Sequence, residues 1–150
     1  MAIGRSPRLD AVAAAVKKLA DGRLCSTVPM QYAVAAALTG DRSHQARFRT
    51  ALKERAAVTV DCFRRMPGVT CVAPSAAFYA MPRIALPPGR TDEDYVLALL
   101  RQTGVLCVYG SGFGMEPADG FLRVVFLAAP NELREIYELM ASFTKQYLHA

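Results

Sequence analysis

Arg123 is the residue whose setting most demands a chemical explanation. It lies within Phe121-Leu122-Arg123-Val124-Val125-Phe126-Leu127, a run otherwise wholly apolar. A guanidinium on a strand with apolar neighbours on both sides is costly unless it meets an anion. Its charge is permanent, and its planar fork of donors matches a carboxylate. The same arginine could instead snorkel to water along its stem or pair with an internal Asp or Glu. The strand pattern alone leaves all three readings open.

Other chemistry-bearing patterns are weaker. Gly110-Ser111-Gly112-Phe113-Gly114 is rich in glycine, but phosphate-binding loops of that kind run directly into a helix N-terminus. Here Met115 to Gly120 intervenes before a strand, and no Gly-Lys-Ser/Thr is present. A tight turn that reverses the chain, or that brings backbone close to a neighbour, fits better. Nucleophilic catalysis needs a base held beside the nucleophile. The two histidines are His44, in the first turn of a helix, and His149, next to the last residue. Asp92, Glu93 and Asp94 fit a helix start, where acids favour the dipole. Lys17, Lys18, Lys53 and Lys145 fall on helical stretches and read as solvated, so no lysine is placed for Schiff-base work. No catalytic residue is therefore expected within this chain. Cys25, Cys62, Cys71 and Cys107 are far apart and in apolar surroundings. They show no zinc spacing, and all four are expected to be buried free thiols.

The elements that must hold Arg123 can be read from periodicity. The chain has 150 residues, 53% hydrophobic and 21% charged, which suits one domain with a real core. No stretch of ~18 uninterrupted apolar residues could span a membrane. The N-terminal residues lack the apolar core of a signal peptide, so a cytoplasmic protein is expected. The net charge is +5, yet the basic residues are scattered. Arg42, Arg49, Lys53 and Arg64 recur at near-whole helical turns, which makes a solvated basic stripe. Without aromatic residues interleaved, it does not argue for nucleic acid.

A first helix should open at Ser6-Pro7 and carry Leu9, Val12, Ala13, Val16 and Leu19. The segment Arg23 to Pro29 reads as extended or irregular. A short helix from Met30 to Leu38, opened by Pro29, is apolar all round and so should be buried or lie against another domain or subunit. A third helix spans Arg42 to Arg65, capped by Asp41, with Phe48, Ala51, Leu52, Val58 and Phe63 inward. Strands are expected at Val69 to Pro74 and Ala76 to Met81, then a proline-rich loop. A helix follows from Thr91 to Thr103-Gly104, then strands at Val105 to Tyr109 and Phe121 to Ala128. A last helix is opened by Pro130. The class is α+β, with a small mixed sheet of three to four strands packed by flanking helices.

In this order the segments resemble the C-terminal small domain of the class I/II, fold-type I, pyridoxal-phosphate-dependent aminotransferases. The likeness runs through Leu24-Cys25-Ser26-Thr27-Val28-Pro29-Met30-Gln31, Arg55, Pro67-Gly68-Val69, Pro74 and Ala77-Phe78-Tyr79-Ala80-Met81-Pro82. It continues through Gly104-Val105, Gly110-Ser111, Phe113-Gly114 and Gly120-Phe121-Leu122-Arg123-Val124. Tyr109 stands where many relatives have proline, and Ser75 where many have glycine.

The resemblance implies that Arg123 is the substrate-binding arginine that clamps the carboxylate of an amino acid or 2-oxo acid. It implies a single domain, 1–150, in which helix 7–21 is the remnant of the interdomain helix. The full enzyme would use pyridoxal 5'-phosphate and exchange an amino group between an amino acid and a 2-oxo acid, usually as a homodimer. The Schiff-base lysine and most cofactor ligands would belong to a large domain preceding this segment. The fragment alone is then expected to bind no cofactor and to be inactive. Two other readings are a stand-alone α+β module that binds a small carboxylate through Arg123, and a nucleic-acid module using the basic stripe; neither nucleic acid nor a membrane is the expected partner.

Overall fold

The computed structural model describes residues 9–22 and 27–149. The chain divides into two compact units, Met1–Ser43 and His44–Ala150.

The first unit holds two helices. Helix α1, Asp10–Asp21, carries an exposed Lys17–Asp21 ion pair at 2.9 Å and ends at Gly22. Helix α2, Val28–Thr39, has Pro29 in its first turn, where the missing N–H costs no intrahelical bond. No residue of either helix is buried. Of the two placements expected for the apolar helix, burial within the chain is not the one seen: Met30 and Tyr32 are 68% and 81% exposed. The expected cap at Ser6-Pro7, and the segment at residues 23–26 with Cys25, lie outside the described residues.

The second unit carries the core. Helix α3, Ser43–Arg64, starts where the Asp41 carboxylate accepts hydrogen bonds from the Ser43 N–H (2.9 Å) and Oγ–H (2.7 Å). Its buried residues are Val58, Thr59, Val60 and Phe63. Phe48, expected inward, is 49% exposed: the core reaches only the C-terminal half of this helix. Arg49, Lys53 and Arg64 are exposed, and Arg42 precedes the first turn.

Five short strands follow: β1 (Val69–Thr70), β2 (Tyr79–Ala80), β3 (Arg83–Ile84), β4 (Val108–Tyr109) and β5 (Leu122–Val125). They form two sheets, β1-β3 and β2-β5-β4, with every pairing antiparallel. The α+β class stands, but a single mixed sheet does not. Strands β4 and β5 pair antiparallel across the two 3-10 turns that join them, and β3 occupies part of the expected proline loop.

Helix α4, Asp92–Thr103, is punctuated at both ends. Thr91 and Asp94 form a reciprocal capping box, and Gly104 closes it in the left-handed region. Helix α5, Pro130–Tyr147, begins where the Glu132 carboxylate accepts the Ala129 N–H at 2.9 Å. Phe63, Tyr95, Leu99, Leu122, Phe126 and Met140 are essentially without solvent contact, and each such side chain contributes about 1.5–3 kcal/mol. Two buried hydroxyl pairs sit among them: Tyr95 with Thr144 at 2.6 Å, and Tyr137 with Thr59 at 3.0 Å. Cys107 is buried, whereas Cys62 and Cys71 are only half-buried free thiols, since both lie at the margin of the core.

Candidate functional site

Strand β5 sorts its side chains by the two-residue period. Leu122 and Val124 point into the core, at 0% and 6% exposure, while Val125 is 45% exposed. Arg123 is half-buried and belongs to the outward set with Val125. The strand lies between β2 and β4, which pairs Val108 with Arg123 and Tyr79 with Val125. Arg123, Tyr79, Val108 and Val125 therefore share one face of the sheet. The strand is flanked by apolar residues as the sequence suggests, but those that alternate with Arg123 face the opposite side.

The guanidinium carbon of Arg123 lies 4.3 Å from the centre of the Phe113 ring and 5.4 Å from that of Tyr79. Such contacts contribute about 0.5–2 kcal/mol, more as water is removed. The Arg123 Nε is buried and meets no hydrogen-bond acceptor. Ion pairs among the described residues join Lys17–Asp21, Arg65–Asp61 and Arg83–Asp119, and none includes Arg123. The alternative of an internal acid partner is thus absent from the described chain. The guanidinium thus lies against two rings with no acid of the described chain on its donors, and its planar fork can accommodate a carboxylate.

Phe113 reaches Arg123 from the glycine-rich turn. Gly110–Phe113 forms one 3-10 turn rather than the start of an α-helix, so a phosphate cradle of the helix N-terminus kind is not built. The Gly110 N–H donates to the Phe121 carbonyl at 2.7 Å. A Cβ on Gly110 would fall 2.7 Å from Phe121 Cβ, so close backbone approach is what this glycine allows. The reversal is completed at Gly120, φ +72°, whose absent Cβ would sit 2.2 Å from the Ile84 carbonyl oxygen.

On the other side, Tyr79 is delivered by a strained entry. Ala77 has φ +61°, a conformation that disfavours any residue with a Cβ. The Phe78 carbonyl then accepts the Phe126 N–H at 3.0 Å, fixing the edge of β2 on β5. Phe78 and Tyr79 rings meet edge to face at 6.1 Å.

A groove of about 550 Å³ lies along β4, β5 and α5, lined by Cys107, Val108, Val124, Leu133 and Ile136 among others; Arg123 is the single charged residue in its lining. Burial pushes the Cys107 thiol up to about 11, which makes it a poor nucleophile. His44, His149 and the four lysines are exposed. Among the described residues, no cluster of His, Cys, Asp or Glu could hold a metal ion, and no helix is long and apolar enough to cross a membrane. The sequence reading missed Phe113 and Tyr79 as neighbours of Arg123, and it treated Asp92 as an ordinary first-turn acid. Asp92 is fully buried.

Known proteins resemble this chain in sequence and in fold. The family model "Aminotransferase class I and II" covers residues 2–139. Glutamate-pyruvate aminotransferase AlaA of Haemophilus influenzae is 39% identical over 133 residues, which are 86% of this chain and 33% of that protein. Alanine aminotransferase 1 of Bos taurus is 33% identical over 91% of this chain and 32% of its own length. The solved alanine aminotransferase from Pyrococcus furiosus superposes with a TM-score of 0.77 at 35% identity, covering 94% of this chain and 36% of that one. The chain therefore spans about a third of the length of the relatives it matches. On the family match and the shared architecture, this chain belongs to the class I and II aminotransferases.

Proposed function

We propose that this chain is the small-domain portion of an aminotransferase that moves an amino group between an amino acid and a 2-oxo acid, and that Arg123 receives the substrate carboxylate. In this reading residues 1–150 act as one domain, helix 7–21 continues the interdomain helix, and the full enzyme is a cytoplasmic homodimer. The observation that carries the reading is the Arg123 guanidinium itself. It is held between Phe113 and Tyr79, with a buried Nε that has no acceptor and no acid of the described chain to pair with.

The chemistry assigned to this chain is orientation. A carboxylate taken up by the guanidinium fork would be fixed in plane, and the flanking rings would keep water from competing for the donors. Holding one end of the substrate lowers the entropic part of the barrier for a reaction at its other end.

The family implies pyridoxal 5'-phosphate in its full-length members. The described residues do not fit that group. Lys17, Lys18, Lys53 and Lys145 are exposed on helices, and the glycine-rich turn is not the start of an α-helix. The described residues supply neither a desolvated amine nor a phosphate cradle, so in the proposal both come from the remainder of the enzyme.

The test is incubation of the 150-residue chain with pyridoxal 5'-phosphate, alanine and 2-oxoglutarate. The expected result is no amino transfer and no single lysine labelled to one equivalent by cofactor and borohydride. Turnover, or stoichiometric trapping on one lysine of this chain, would overturn the division of labour.

A further inference from the structure

Asp92 is the single charged residue among the fully buried side chains of the described chain. A buried carboxylate without a cation is costly, so its retention at the first position of α4 calls for a reason. Helix capping alone is not that reason, because Thr91 and Asp94 already cap α4 reciprocally.

Its hydrogen bonds point elsewhere. Asp92 Oδ2 accepts the Ser111 N–H at 2.6 Å, and Oδ1 accepts the Ser111 Oγ–H at 3.0 Å. Oδ1 also accepts the Glu93 N–H at 2.9 Å. Two of the three bonds thus fasten the glycine-rich turn to the start of α4, where the helix dipole favours the negative charge. Helix α4 is itself anchored by Tyr95 and Leu99, both at 0% exposure. Two residues beyond Ser111 stands Phe113, whose ring lies over the Arg123 guanidinium.

We infer that Asp92 is a positioning residue for Arg123, acting through Ser111 and Phe113. Its carboxylate fixes the flexible Gly110-Ser111-Gly112 backbone relative to α4, and this fixes the ring that packs on the guanidinium. The bearing on substrate rests on the proposed carboxylate role of Arg123; the bearing on Phe113 geometry does not.

The experiment is solution NMR on the 150-residue chain, comparing the native protein with Asp92→Asn and Ser111→Ala. Two readouts are followed: the ring-current displacement of the Arg123 Cδ protons, and the affinity for pyruvate. Asp92→Asn sets an amide donor against the donors of Ser111, whereas Ser111→Ala removes one bond and keeps the backbone contact. The expected result is that the Arg123 Cδ protons move towards their ordinary solvent position in both variants. Pyruvate binding should weaken about tenfold in Asp92→Asn, the equivalent of losing one charge-assisted contact, and several-fold in Ser111→Ala. A lower melting temperature with unchanged Cδ shifts would overturn the inference, because a merely structural Asp92 predicts that pattern. If Asp92→Asn does not fold, Ser111→Ala decides by the same readouts. If the native chain binds no pyruvate, the carboxylate role of Arg123 fails while the Cδ shifts still decide the role of Asp92.

Discussion

The Arg123 guanidinium carbon sits 4.3 Å from the centre of the Phe113 ring, and no carboxylate of the described chain pairs with it. An arginine placed for a ligand should be dispensable for folding, whereas one that holds an internal ion pair should not. Arg123→Met removes the ring contacts, worth about 0.5–2 kcal/mol. It also removes a buried Nε–H without an acceptor, which costs roughly 1–3 kcal/mol. Urea unfolding should therefore show a change within about 1 kcal/mol. A loss of ~3–5 kcal/mol, as on breaking a buried ion pair, would argue that Arg123 is structural.

The hydroxyl pairs in the core give a second expectation. The Thr144 hydroxyl is 2.6 Å from the Met140 carbonyl, and the Thr59 hydroxyl is 2.8 Å from the Arg55 carbonyl. Each threonine can donate to its own helix while accepting from a tyrosine. Tyr95→Phe and Tyr137→Phe then leave the threonine proton satisfied and should each cost about 0.5–1.5 kcal/mol. Chemical denaturation of the two variants checks this; a cost of several kcal/mol would mean that the tyrosine oxygen is the acceptor the threonine depends on.

The helices and their ends were legible because their signals are local. Thr91 with Asp94, Gly104 and Pro130 punctuate α4 and α5 where the structure ends and starts them. Strands were overextended. The apolar run Phe121 to Ala128 shrinks to Leu122–Val125 because β2 and β4 each offer only two residues to pair with. Phe48 continues the apolar stripe of α3, and nothing in the stripe reveals that the core stops short of it. Arg123 stood out because a charge in an apolar run is a conflict visible in sequence. Its neighbours did not: Phe113 comes from a 3-10 turn ten residues earlier, and Asp92 looks like any first-turn acid until the fold buries it.

Alkaline pH should destabilise the chain in a definite window. Burial pushes Cys107 from an ordinary 9.0 up to about 11, and Tyr95 and Tyr137 from 10.0 up to about 12, with the hydroxyl partners Thr144 and Thr59 opposing the shift. Between the ordinary and raised values the unfolded chain has lost a proton that the folded chain keeps. Stability is therefore full below about pH 9 and falls as pH rises through about 11 and 12. Urea midpoints recorded against pH should decline from about pH 9, and Cys107→Ala should flatten the first part of the decline. A midpoint constant up to about pH 12 would contradict the burial of all three groups.

Ala77 holds φ +61° two residues before Tyr79, the first residue of β2. Glycine adopts this conformation without the Cβ clash, although it loses more chain entropy on folding. Ala77→Gly should raise stability by up to about 1 kcal/mol, measured by urea unfolding. A loss of more than about 1 kcal/mol would show that the left-handed geometry is not a strain the alanine bears.

The carboxylate role of Arg123 is tested most directly by titrating the 150-residue chain with pyruvate while following the Arg123 Nε–H resonance. The account expects a saturable shift of that resonance, and no saturable binding by the folded Arg123→Met variant. Binding that persists in Arg123→Met, or an Nε–H resonance that does not move in the native chain, would contradict it.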